Sequence, residues 1–175
     1  MTIVPDSKDW TWVLERACPE CGFEAASVRR QDVPAHLRQA ALDLIDALRR
    51  PEASERPDPA TWSPVEYACH VRDVYRLYLQ RLELMLAEDD PLFANWDQDA
   101  TAVAERYGEQ DPRVVARELA DAADALTERF ATLPDAAWER RGRRSDGAQF
   151  TVTTFSQYLV HDPVHHVWDV SHVRR

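Results

Sequence analysis

The stretch SPVEYACHVRDVYRLYLQRLELM, residues 63–85, decides the fold. Ser63-Pro64-Val65-Glu66 is a capping box with proline at the first helical position, a strong helix start. Behind it, Ala68, Val71, Tyr75, Tyr78, Leu82 and Met85 recur three and four apart, the period of one apolar helix face. His70, Val74 and Leu77 make a second stripe beside the first. A helix with two adjacent apolar stripes touches two neighbours, as helices do in a four-helix bundle.

Three more segments supply the neighbours. Residues 34–50 follow Asp32, a candidate cap, and align Leu37, Ala41, Leu44, Ile45 and Leu48. Residues 112–133 start at Asp111-Pro112, with Val115, Leu119, Ala122, Leu126, Phe130 and Leu133 as their seam. Residues 154–173 follow Thr153, expected as the cap, and line up Tyr158, His161, His165, Trp168 and His172. Pro163 lies inside this last helix and is expected to kink it, because proline removes one backbone hydrogen bond. Residues 1–33, 89–110 and 134–152 read as irregular, with Ser145-Asp146-Gly147 as a turn. The expected fold is all-α: a four-helix bundle over residues 34–175 preceded by an N-terminal extension, residues 1–33, within a single domain. The long link at 89–110 permits helices two and three to run parallel, though a simple up-down order also suits the pattern.

Composition bounds the function. A chain of 175 residues with 45% hydrophobic and 30% charged residues reads as soluble and globular. Its net charge of -10 argues against a nucleic-acid partner, which needs a basic surface. No apolar run approaches a membrane span, and Met1 to Asp6 show no basic stretch leading into an apolar one, so no membrane association and a cytoplasmic location are expected. Lys8 is the single lysine among 21 basic residues, the mark of a GC-rich genome.

His161 and His165 stand four residues apart, so their imidazoles leave one helix face, one above the other. His70 on a facing helix completes a three-nitrogen site with an open position, which suits catalysis by a bound ion. Asp73 and Asp169 lie within a turn of these histidines, where a carboxylate can hold an imidazole N–H. His166, about 100° further round the helix, is expected to pack against a neighbour or face solvent. His172 is about 10 Å along the axis from His165, too far for the same ion. His36 reads as a surface residue. Trp96 and Arg144, on loops, are candidates for the rim of the open position, and Tyr158 for its lining.

Cys18-Pro19-Glu20-Cys21-Gly22 is half of a zinc-knuckle pattern. A second CxxC is absent, and Cys69 reads as a buried packing residue beside His70. Cys18 and Cys21 then have three readings: reduced thiols in an N-terminal flap, which is preferred, a redox pair, or thiolate ligands lent to a metal. The redox reading lacks the βαβ pattern of thioredoxin-like folds.

The run Ser63 to Asp73, followed downstream by Thr151-Val152-Thr153, Tyr158 and His161-Asp162-Pro163-Val164-His165-His166, resembles the DinB-like superfamily of four-helix metalloproteins. That group includes mycothiol-dependent maleylpyruvate isomerase and bacillithiol transferases. The resemblance covers residues 34–173. It implies an up-down-down-up bundle and a divalent metal on His70, His161 and His165. It also implies chemistry between a low-molecular-weight thiol such as mycothiol and a small electrophile, and it inclines toward a homodimer. The expected activity is thiol transfer or a thiol-assisted isomerisation. Zinc is the leading metal, with Ni, Co or Fe(II) also suited to imidazole. The alternative is a non-catalytic metal-binding or stress-associated bundle, recognisable by a fourth protein ligand on the ion.

Overall fold

The computed structural model describes residues 10–172. In this range lie five α-helices: α1 (Val33–Ala47), α2 (Pro64–Ala87), α3 (Gln98–Ala104), α4 (Pro112–Ala131) and α5 (Val152–His172). Three short strands, β1 (Leu92–Phe93), β2 (Arg141–Arg144) and β3 (Gln149–Thr151), form one small sheet. Val173, the expected end of the last helix, lies outside the described residues.

Local chemistry explains the helix starts. At α2 the Glu66 amide donates to Ser63 Oγ at 3.4 Å, and the Ser63 amide donates to Glu66 Oε2 at 2.9 Å, the reciprocal capping box. Asp111 caps α4 by accepting from the Arg113 amide at 2.8 Å. Two expected caps are corrected. Asp32 makes no capping bond, because its carboxylate is taken by Arg29 Nε at 2.7 Å. At α5 the cap is Thr151, which exchanges side chain-to-amide bonds with Thr154, while Thr153 donates to the Trp138 carbonyl instead. The helical run of α5 continues through Pro163.

The four long helices are α1, α2, α4 and α5. Each of α1 and α2 packs on both α4 and α5. Cross-helix pairs fix the directions. Arg72 meets Glu118 and, further along, Arg129 meets Glu83, so α2 and α4 run parallel. His70 faces Asp162 while Tyr78 stacks on Phe155, so α2 and α5 run antiparallel. Gln157 donates to the carbonyl of Val28, just before α1, while Leu44 and Ala47 share a groove with Val167 and Val170, so α1 and α5 run parallel. The order is up-down-down-up.

The stretches expected to be irregular hold more structure than that. β1 and α3 lie in the link 89–110, and β2 and β3 form a hairpin within 134–152. β1 pairs parallel with β2, Leu92 opposite Arg143, and β2 pairs antiparallel with β3, Arg141 opposite Thr151. Strands of two to four residues are too short to show a period in sequence. The hairpin turn is the expected one, with Gly147 at φ +99°. Residues 10–32 lie along α5, and Val13, Cys18, Phe23, Ala25 and Val28 are buried. Among the described residues no helix is long and apolar enough to cross a membrane.

Candidate metal centres

Helix α5 carries two interleaved pairs of residues of metal-ligating type. His161 and His165 form one, Asp162 and His166 the other. Each pair is spaced by four, so its members stack on one face; the one-residue offset turns the two faces about 100° apart. Each face meets a different part of the chain.

On the first face, Asp162 and His166 meet His70 of α2, and one ligand atom from each lies within 4.8 Å of the others. His70 Nε2 stands 3.4 Å from Asp162 Oδ2, and His166 Nε2 stands 3.9 Å from Asp162 Oδ1. Two ligands about 2.1 Å from a common tetrahedral centre would be separated by about 3.4 Å. His166 Nδ1 is 2.9 Å from Asp169 Oδ2, a contact that orients the ring and turns Nε2 toward Asp162. Burial would push the Asp162 carboxyl up, but the imidazoles of His70 and His166 outweigh it and hold it at about 2. His70 Nδ1 and Asp162 Oδ1 are buried without a hydrogen-bond partner. Such an orphan costs roughly 1–3 kcal/mol; a cation held by His70 Nε2 would relieve Asp162 Oδ1, while His70 Nδ1 lies on the other side of its ring. Trp96 stacks on His70 with centroids 5.5 Å apart, Trp62 packs on the same ring, and Tyr67 packs on His166.

On the second face, His161 and His165 meet Cys18 and Cys21, and these four ligand atoms also lie within 4.8 Å of one another. Gly22, at φ +73°, lets the chain turn back after Cys21; its amide donates to the Cys18 carbonyl, and the Cys18 amide to that of Phe23. Cys18 Sγ is 3.6 Å from His165 Nδ1. The other nitrogen of His165 faces Glu20 at 3.3 Å and Asp169 Oδ1 at 3.7 Å. Burial, reinforced by the neighbouring His165, lowers the His161 imidazole to about 4; burial lowers His165 as well. Both rings are therefore neutral near pH 7, the state that can ligate. Burial also pushes the Cys21 thiol up to about 11, with Cys18 adding to the rise.

The three expected ligands are thus parted. His70 joins Asp162 and His166, while His161 and His165 join the cysteines. His166, expected to pack or face solvent, points at His70, with ring centroids 4.8 Å apart. Asp169 serves both His165 and His166. Asp73 instead accepts from Arg72, Arg76 and the Tyr107 hydroxyl. Trp96 lies against His70, and Tyr158, one turn before Asp162, accepts from Arg144, which also pairs with Asp146. Cys69 is buried, its thiol pushed up to about 12 by that burial, with Gln110 at 3.4 Å.

Residues 35–170 match the family model of the DinB superfamily. The chain belongs to the DinB superfamily. A similar solved structure is YfiT from Bacillus subtilis, described as a probable metal-dependent hydrolase with an unusual four-helix bundle topology; it aligns with a TM-score of 0.64 and 19% identity over 98% of this chain and 91% of its own. This likeness is one of fold. No curated protein matches the chain. For this DinB superfamily member, one sequence signal would have separated the two centres. HDPVHH contains two pairs spaced by four, and only one can share His70; the CxxC, short of two ligands, asks for the other.

Proposed function

We propose that this protein is a metal-dependent enzyme whose centre is His70, Asp162 and His166, and that it activates a low-molecular-weight thiol of the mycothiol kind for attack on a small electrophile. The observation that carries the proposal is the convergence of two imidazoles and one carboxylate, with Asp162 Oδ1 buried and left without a hydrogen-bond partner. Three protein ligands leave positions open, the arrangement of catalytic rather than structural sites. A divalent ion held there would favour the ionised form of a thiol or water placed beside it.

The chain's own residues do the rest. Asp169 fixes the ring of His166. Trp62 and Trp96 cover His70 and keep bulk water from its ring. Arg144, held by Asp146 and hydrogen-bonded to Tyr158, offers a cation to an acidic group of the thiol or its partner. Two imidazoles and a carboxylate suit zinc and Fe(II) alike. Water as the nucleophile is the second reading, favoured by the carboxylate in the donor set and by the hydrolase description of YfiT.

The test is metal analysis combined with a conjugation assay pairing mycothiol, bacillithiol, coenzyme A or glutathione with a fluorogenic electrophile. In the Co²⁺-substituted protein, the added thiol is expected to increase sulfur-to-metal charge transfer above the level the protein shows alone. His166→Ala and Asp162→Ala should abolish that increase and the turnover. Unchanged turnover and metal content in both variants would sink the assignment. Hydrolysed product without conjugate would move the second reading ahead.

A further inference from the structure

We propose that Cys18, Cys21, His161 and His165 form a second, closed metal site that holds Zn²⁺ and staples the N-terminal segment to α5. The four donors come from two segments that are far apart in sequence and meet at one point. Two sulfurs and two imidazole nitrogens are a zinc donor set, and four protein ligands leave no position for a substrate.

Several independent features agree. Ligands at about 2.3 Å for sulfur and about 2.0–2.1 Å for nitrogen, arranged tetrahedrally, would stand about 3.6 Å apart; Cys18 Sγ and His165 Nδ1 are 3.6 Å apart. The turn at Gly22 presents both thiols on one side of the CPECG loop. His165 turns its remaining nitrogen toward Glu20 and Asp169, the carboxylate backing that orients a ligating imidazole. His161 is 4% exposed, and its Nε2 is buried with no hydrogen-bond partner. Trp10 packs on both imidazoles and Phe23 on His161, closing the site with apolar rings. On binding, the two thiols release their protons to solvent, and the two thiolate charges cancel those of the ion. A neutral complex is one this buried position can hold.

The test uses the full chain, purified without chelator under reducing conditions and loaded with zinc. The wild type is expected to bind about two equivalents. His166→Ala, which empties the other centre, should keep about one, and its zinc absorption spectrum should show two sulfurs at about 2.3 Å and two nitrogens at about 2.0–2.1 Å. Cys18→Ser with Cys21→Ser should lose one equivalent. Where that double variant does not fold, the spectrum of His166→Ala decides. Zinc without sulfur neighbours overturns the proposal, as does a Cys18–Cys21 disulfide in the freshly isolated protein, or a folded cysteine variant that still binds two ions. The two assignments fail separately, since retention of both ions in His166→Ala strikes only the His70 centre.

Discussion

Glu66 is buried, and its carboxylate is surrounded by donors: the amide and hydroxyl of Ser63 at 2.9 Å each, and Arg56 Nε at 2.8 Å. Burial would raise its carboxyl, but Arg56 and Ser63 outweigh it and hold it below the usual value. Because the folded value is depressed, its stabilisation is present above the unfolded value of about 4.3 and lost as pH falls through the folded one. Glu66→Ala is expected to cost about 1–3 kcal/mol near neutral pH. The gap between the urea midpoints of wild type and variant should narrow as the pH falls below the carboxyl's ordinary value of about 4.3; a constant gap would show that the charge plays no part. Asp169 gives a second prediction at this scale. It faces His166 with one oxygen and His165 with the other, so Asp169→Asn should weaken both metals, each by about 10–100-fold in chelator competition. A loss confined to one ion would show that only one contact matters. His70 was legible as a buried residue facing α5, and so as a candidate ligand, because it sits on the second stripe of a well-marked helix. Asp162 and His166 were not, because a sequence shows spacing along a helix but not which face meets which neighbour.

At the scale of elements, α2 and α4 could be read from their caps and seams, since each start is a local side chain-to-amide bond written within four residues. The sheet could not, because its pairs join β1 to β2 across a long intervening stretch. It depends on one glycine. A Cβ added at Gly142 would stand 2.5 Å from Phe93 Cζ and 2.9 Å from Met85 Cγ. Both contacts belong to buried side chains, so nothing nearby can move aside cheaply. Gly142→Ala is expected to cost about 1–3 kcal/mol, seen as a lower thermal midpoint with the helical signal intact at room temperature. An unchanged midpoint would mean that the hairpin floats on the bundle. Helix α5 shows the other limit of sequence reading. Its aromatic stripe suggested a single inward face, but Leu159, Val160, His161, Pro163, His165 and Val170 are all buried, so the helix is covered on several sides.

For the whole molecule, the up-down-down-up order came from the family resemblance, not from periodicity, because helix lengths and link lengths suited two topologies. Charge pairs between α2 and α4 now carry it. The N-terminal segment is tied to α5 by apolar packing and, in our proposal, by zinc. A ligand bound by the folded state alone adds stability that grows with its concentration. Chelation should therefore lower the thermal midpoint and make exposed Arg16 more open to trypsin, while cleavage within α1, α2 and α4 stays slow. Equal protection of Arg16 with and without chelator would show that packing alone holds the segment.

Cys18 and His165 lie 147 positions apart. Synthesis therefore delivers the thiols long before their imidazole partners, which come only with α5. Throughout the intervening elongation, the thiols have half a coordination shell and no means to close it. A chain ended after Thr151 should bind zinc only weakly through CPECG, and tight retention by such a fragment would contradict the scheme. Acquisition of this ion then becomes a mark of assembly: a chain that keeps its zinc is one in which α5 has been made and has found its place beside the CPECG loop.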